Sequence, residues 1–175
     1  ILISSAFYLF FITLRDFFSK GFKNLAQNTA HFGFSLLILS ILFNNLFSTE
    51  TITNLKVGET FENTKTKIIF ENISQKEEKN YKSIIAKFII QDSKGKIENL
   101  SPELRIYNQP NTVTSEADIK TTLLSDKFIV INLLPNQQLF NVRYQVKPFM
   151  LWIWISVILI SVGGLLSFAK KEYEK

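Results

Sequence analysis

The chain has 175 residues, 46% of them apolar and 20% charged, with 20 Lys/Arg against 15 Asp/Glu and a net charge of +5. That apolar content excludes a disordered tail, and the absence of cysteine excludes a disulfide scaffold, a thiolate metal site and thiol catalysis within these residues. Of the 35 charged residues, 26 lie between Ser48 and Lys147, a split that excludes an ordinary soluble globule.

Residues 1–14, ILISSAFYLFFITL, are apolar but too short to cross a bilayer alone. No basic region precedes them and the first residue is Ile1, so they read as the end of a truncated transmembrane helix rather than a signal peptide, and the chain reads as a C-terminal piece. Residues 15–28 read as a loop carrying Arg15, Lys20 and Lys23 against Asp16. Residues 29–47 and 148–169 each hold an apolar run that matches the ~30 Å hydrocarbon thickness at about 1.5 Å per residue, and both are predicted to span. The tail, 170–175, carries Lys170, Lys171 and Lys175 against Glu172 and Glu174. The positive-inside rule places both basic flanks in the cytoplasm, and residues 48–147 are therefore expected on the external, periplasmic side.

This insert has the patterning of a sheet. In LFNVRYQVK, Phe140, Val142, Tyr144 and Val146 alternate with Asn141, Arg143, Gln145 and Lys147. FIVINLL precedes it across PNQQ, which predicts a hairpin of 128–134 with 139–147. SIIAKFIIQD puts Ile84, Ala86, Phe88 and Ile90 on one face, DSKGK supplies a turn at Gly95, and KIIFENI is a further strand. A brief helix is allowed around Glu116 to Leu124, and Pro148 is suited to the first position of the final helix. The expected fold is membrane α-helical with an inserted all-β extracytoplasmic domain, a small antiparallel sandwich or barrel.

The insert carries 14 Lys/Arg against 12 Asp/Glu, so no basic stripe remains and nucleic acid is excluded as a partner. The single histidine, His31, lies in the first turns of the second span. There an imidazole needs a hydrogen-bond partner on another helix, an interfacial position facing headgroups, or a metal; neutral imidazole is an axial ligand for haem iron. Ala26, Ala30 and Gly33 allow close approach of another helix or of a flat ligand, and Ser35, Ile38 and Leu42 continue the histidine's face. With no histidine in the insert, neither a Ser-His-Asp triad nor a histidine zinc site can form there. Glu77 and Glu78 read as a solvated loop, Trp152 and Trp154 as an aromatic belt on two helix faces, Gly163 and Gly164 as a helix-packing site, and Asn44 and Asn45 as a helix end.

Six segments, taken in order, resemble the C-terminal portion of the CcmF family of cytochrome c-type biogenesis proteins: AHFG (30–33), SPELRIYNQP (101–110), TSEADI (114–119), VRYQVKPF (142–149), WIW (152–154) and GGLLSF (163–168). The resemblance implies a membrane haem lyase component that helps move haem from a haem-loaded chaperone onto apocytochrome c, alongside other cytochrome c maturation subunits and surrounded by membrane lipid. It implies a membrane haem b with His31 as one axial ligand of the iron, and a second ligand supplied upstream of this chain. It also implies electron delivery that keeps incoming haem reduced. The setting is a bacterial inner (plasma) membrane, with a mitochondrial inner membrane as the alternative, and the chain alone is expected to be inactive in haem attachment. Arg105, Tyr107 and Glu116 match family positions and carry no assigned role; pairing of Arg105 with an acid of its own domain is expected. Two rival readings are a membrane-anchored extracytoplasmic binding module without haem, and a permease subunit using Asn44 and Asn45.

Overall fold

The computed structural model describes residues 2–19, 24–64, 66–93, 95–134 and 139–173, forming two units of structure. Lys20, Lys23 and Lys175 of the basic flanks, and the PNQQ turn at 135–138, lie outside the described residues.

The first unit contains three helices, α1 (Leu2–Ser19), α2 (Leu25–Phe47) and α3 (Met150–Tyr173), together with the segment Thr121–Asp126. Each helix is long and apolar enough to cross a membrane. The helices overrun the sequence boundaries: α1 continues past Leu14 through Arg15 and Asp16, and α2 begins before Thr29. Long charged side chains keep their heads in water while their stems extend an apolar helix, so a charge marks the edge of the hydrocarbon and not the end of the helix. Pro148 ends a strand instead of starting α3. The intervening Phe149 has φ of 60°, a left-handed conformation costly for a bulky residue, and its carbonyl accepts the Ile153 N–H at 3.2 Å.

The helices pack antiparallel in sequence. Along α1 and α2, Phe7 meets Phe43 edge-on at 5.7 Å, Phe10 and Phe17 meet Phe32 at 5.8 and 5.4 Å, and the Asn28 amide donates to the Asp16 carbonyl at 3.4 Å. Between them the buried hydroxyls of Thr13 and Ser35 share a hydrogen bond of 2.6 Å, a polar tie of the kind that joins helices where water is absent. α2 meets α3 through small residues. A methyl group built on Gly163 would lie 2.6 Å from the Ala30 nitrogen and 2.8 Å from the Ala26 carbonyl oxygen; one on Gly33 would lie 2.9 Å from Leu159 Cβ. Gly164 has nothing within 4 Å of that position, so of the glycine pair Gly163 alone packs against α2.

The second unit holds the β-strands. β1 (Thr49–Leu55), β8 (Asp118–Thr121), β9 (Ser125–Leu133) and β10 (Phe140–Pro148) form one sheet in the order β1-β10-β9-β8. The other runs β2 (Thr60–Glu62), β3 (Thr66–Glu77), β4 (Tyr81–Asp92), β6 (Glu103–Tyr107) and β7 (Thr112–Glu116), with β5 (Ile97–Leu100) also on β4. The predicted strands and the β9–β10 hairpin are present, and Gly95 makes its turn at φ of 77°. The helix allowed at 116–124 is replaced by strand β8. β5 and β6 are one edge of β4 interrupted at the buried Pro102, which lacks an N–H but whose carbonyl accepts from Ala86 at 3.0 Å.

The core lies between the sheets. Phe70 stacks on its cross-strand partner Phe88 at 4.5 Å and meets Phe140 of the opposite sheet edge-on at 5.5 Å, with Ile68, Ile90, Ile129, Ile131 and Val142 buried around them. One charged cluster is buried as well. The Glu98 side chain, 1% exposed, takes Lys127 of the other sheet at 2.9 Å and Lys96 at 3.0 Å. Burial pushes its carboxyl up, but the two ammonium groups outweigh burial and hold it below the usual range.

Two predictions follow from this packing. Because Glu98 has a lower folded than unfolded pKa, its stabilisation is complete above the ordinary value of 4.5 and is lost as pH falls through the depressed folded value. The protection factors of β5 and β9 amides in detergent, corrected for the intrinsic exchange rate at each pH, are expected to fall in acid. At neutral pH, Glu98→Gln should lower their protection by about 3 kcal/mol, the low end for a broken buried pair since Lys96 stays hydrated. In the helices, Gly163→Ala forces α2 from α3 and should cost about 1–3 kcal/mol in thermal unfolding followed by circular dichroism, whereas Gly164→Ala should cost nothing.

Candidate functional site

α2 has three sectors, set by 100° of rotation per residue. Asn28, Phe32 and Ser35 face α1, while Ala26, Ala30 and Gly33 face α3. The third sector carries Gln27, His31, Phe34, Ile38, Ile41 and Asn45, and of these all but the half-buried Ile38 are exposed. His31 therefore stands on an uncovered face, without a hydrogen-bond partner among the described residues. The small-residue stripe beside it is used for the α3 contact, which leaves the flat ligand no place there. Ser35, expected on the histidine's face, is turned to Thr13, whereas Ile38 and Leu42 follow His31 along the helix.

Further along that sector, an apolar groove of about 670 Å³ runs between α1 and α2, lined by Leu9, Ile38, Ile41 and Leu42 among others. His31 is not part of this groove's lining; on the same sector it offers a haem of the kind the family resemblance implies an imidazole with no partner among the described residues, a fit for one ligand position. Among the described residues there is no group of three or more His, Cys, Asp or Glu arranged to hold a metal ion. His31 is the chain's only histidine.

The other singled-out residues are accounted for structurally. Arg105 makes a two-pronged bond to Glu103, with both distances 3.1 Å, reaches Glu116 at 3.9 Å, and lies 5.1 Å over the Tyr81 ring, which itself meets Tyr107 at 5.3 Å. The Arg105 guanidinium holds the Glu103 carboxyl below its usual range. This ladder across β4, β6 and β7 is the acid pairing expected for Arg105. Glu77 and Glu78 take different lysines, Lys82 at 3.3 Å and Lys76 at 2.6 Å, and do not act as a carboxylate pair.

At the α2–α3 end, the Asn44 amide donates to the Pro148 carbonyl at 2.7 Å, while Asn45 is exposed at the groove. Trp154 is exposed, and the Trp152 indole donates to the Leu123 carbonyl at 2.8 Å. Sequence reasoning missed both the Thr13–Ser35 tie and the Leu123–Trp152 tie. The second had a signal, two adjacent leucines in an otherwise polar turn; the first had none beyond mid-helix hydroxyls.

Residues 46–148 match the family described as the CcmF C-terminal beta-sandwich. The chain is 26% identical over 166 residues to the cytochrome c-type biogenesis protein CcmF of Haemophilus influenzae, covering 92% of this chain and 26% of that protein. It is likewise 26% identical over 147 residues to CcmF of Escherichia coli, covering 83% and 23%. A solved structure titled Cytochrome c Heme Lyase CcmF superposes with a TM-score of 0.66 at 17% identity, covering 91% of this chain and 28% of that one, a likeness of fold. The chain thus spans about a quarter of the length of the curated relatives it matches. With the matched segment forming more than half its length and folding as two packed sheets, the chain belongs to the CcmF family of cytochrome c-type biogenesis proteins and carries that family's C-terminal β-sandwich.

Proposed function

We propose that the chain serves cytochrome c maturation as part of a membrane haem lyase, with His31 supplying one axial ligand to a haem b held among transmembrane helices. The observation that carries this reading is the position of the one histidine on the only sector of α2 that neither α1 nor α3 covers, among the described residues. A polar ring on an apolar helix face is costly without a partner, and a metal centre is one such partner.

His31 holds its ring outward because the Gly33–Leu159 and Gly163–Ala30 contacts set the rotation of α2 against α3, and the Thr13–Ser35 bond sets it against α1. Phe34 and Ile41, exposed on the same sector, make that face apolar. When bound there, haem supplies one-electron chemistry that can keep an incoming haem reduced while thioether bonds form. The basic flanks favour Arg15 and the C-terminal lysines on the cytoplasmic side of an inner membrane and the sandwich on the periplasmic side. There the sandwich is the element available to haem chaperone, apocytochrome c and other maturation subunits.

The test is the absorption spectrum of the membrane complex that contains this chain, purified in detergent. His31→Ala should abolish the reduced haem b Soret band while the chain remains in the complex. A normal Soret band in that variant would remove His31 from the ligand set and leave the anchored binding module as the reading.

A further inference from the structure

The turn between β8 and β9 belongs to the helical unit, and its polar and apolar groups are sorted in the reverse of a surface loop's order. Leu123 and Leu124 are each 66% exposed, while their carbonyls are paired within the chain. The Leu123 carbonyl accepts from the Trp152 indole at 2.8 Å, and the Leu124 carbonyl accepts the Phe149 N–H at 2.9 Å. The Ser125 carbonyl accepts both the Thr122 N–H at 3.0 Å and the Thr122 hydroxyl at 2.7 Å, and that hydroxyl in turn accepts the Ser125 N–H at 3.1 Å. In water, carbonyls need no such arrangement and leucines gain nothing from exposure. In a medium of low polarity the backbone must be paired within the protein and apolar side chains are the ones that face out.

The depth of the turn follows from α3. Met150–Ala169 has the length of one hydrocarbon crossing, so Trp152 stands within its first turn, at the level where indole rings settle. A turn whose carbonyl is bonded to that indole lies at the same level. At that end α2 also exposes Leu46 and Phe47, and α3 exposes Trp154, which extends the apolar surface.

We infer that the Thr122–Ser125 turn is a membrane-interface wedge, with Leu123 and Leu124 inserted at the boundary between lipid headgroups and acyl chains of the leaflet that α3 enters. The occupant is lipid rather than another polypeptide because the turn is fixed in depth by the end of a spanning helix and its carbonyls are already paired within the chain. The inference rests on the reading that α3 crosses the bilayer, and the experiment separates the two.

The chain contains no cysteine, so Leu123→Cys, Leu124→Cys and Ile158→Cys each give one labelling site for a bimane fluorophore. Ile158 is 61% exposed on α3 and lies about 12 Å along the helix from Met150. The full chain is reconstituted in phosphatidylcholine vesicles carrying a nitroxide at the top or the foot of the acyl chain. Labels at 123 and 124 should lose most emission to the shallow nitroxide, less to the deep one and little to aqueous iodide, whereas the label at 158 should lose most to the deep nitroxide. Iodide quenching at 123 and 124 with normal lipid quenching at 158 overturns the wedge and leaves the span. Protection of 123 and 124 from both lipid and iodide assigns the leucines to a protein partner and also overturns it. Absence of lipid quenching at 158 overturns the span and the wedge together.

Discussion

The close approach of α2 and α3 governs what the helical unit can do. Gly163 leaves no room for a methyl group against the backbone of Ala30 and Ala26, and Gly33 leaves none against Leu159. Lipid tails are as apolar as leucine, so two helices in a bilayer associate through such close backbone contact and through buried hydrogen bonds. Here both devices are used on one helix: glycine and alanine toward α3, the Thr13–Ser35 hydroxyl pair toward α1. With two of its sectors taken, α2 has one left, and His31 is on it. The histidine's outward position is thus a consequence of packing elsewhere on the helix.

The sandwich follows a different rule. Its strands place Phe70, Phe88 and Phe140 in mutual contact across both sheets, and the Glu98–Lys127 pair joins β5 to β9 through the same interior. Replacing a buried pair with apolar residues often costs nothing, but removing one partner strands the other, which makes such a pair a strong constraint on which strands lie opposite each other. The Arg105 ladder does the equivalent on the surface of the sheet, linking β4, β6 and β7 through Tyr81, Glu103 and Glu116. Residues that match the family segments SPELRIYNQP and TSEADI therefore hold strands in register here.

Much of the fold is legible in the sequence wherever one face of an element is apolar. β4 alternates from Ala86 to Ile90 and β10 from Phe140 to Tyr144, and α2 and α3 are apolar enough to be found by length, whereas α1 reads as too short because Arg15 and Asp16 mark an end that the helix passes. β1 is not legible: TETITNL is mostly exposed and forms because β10, some ninety residues on, offers it a full antiparallel ladder from Thr49↔Val146 to Leu55↔Phe140. β8 is also polar and exposed, so local propensity at 116–124 permitted a helix that pairing with β9 overrides. At the candidate site, His31 was legible as the single histidine, but its neighbours were not. Whether Ala26, Ala30 and Gly33 served a helix or a ligand depended on Gly163, far along the chain. The buried Glu98 carried no signal either, because its two lysines resemble any solvated charge until the strands are assembled.

The Asn44 amide and the Pro148 carbonyl, 2.7 Å apart, stand near the points where the chain first leaves the helical unit, after Ser48, and finally returns to it, at Lys147. The gateway of the inserted domain is therefore latched from the helical side, beside the ring contact of Phe43 with Phe149 at 5.1 Å. A closed loop costs entropy only as the logarithm of its length, so whatever is threaded between these latch points can grow or shrink at little expense to the helices. The inserted domain can therefore be remodelled while the helices that carry the latch stay the same.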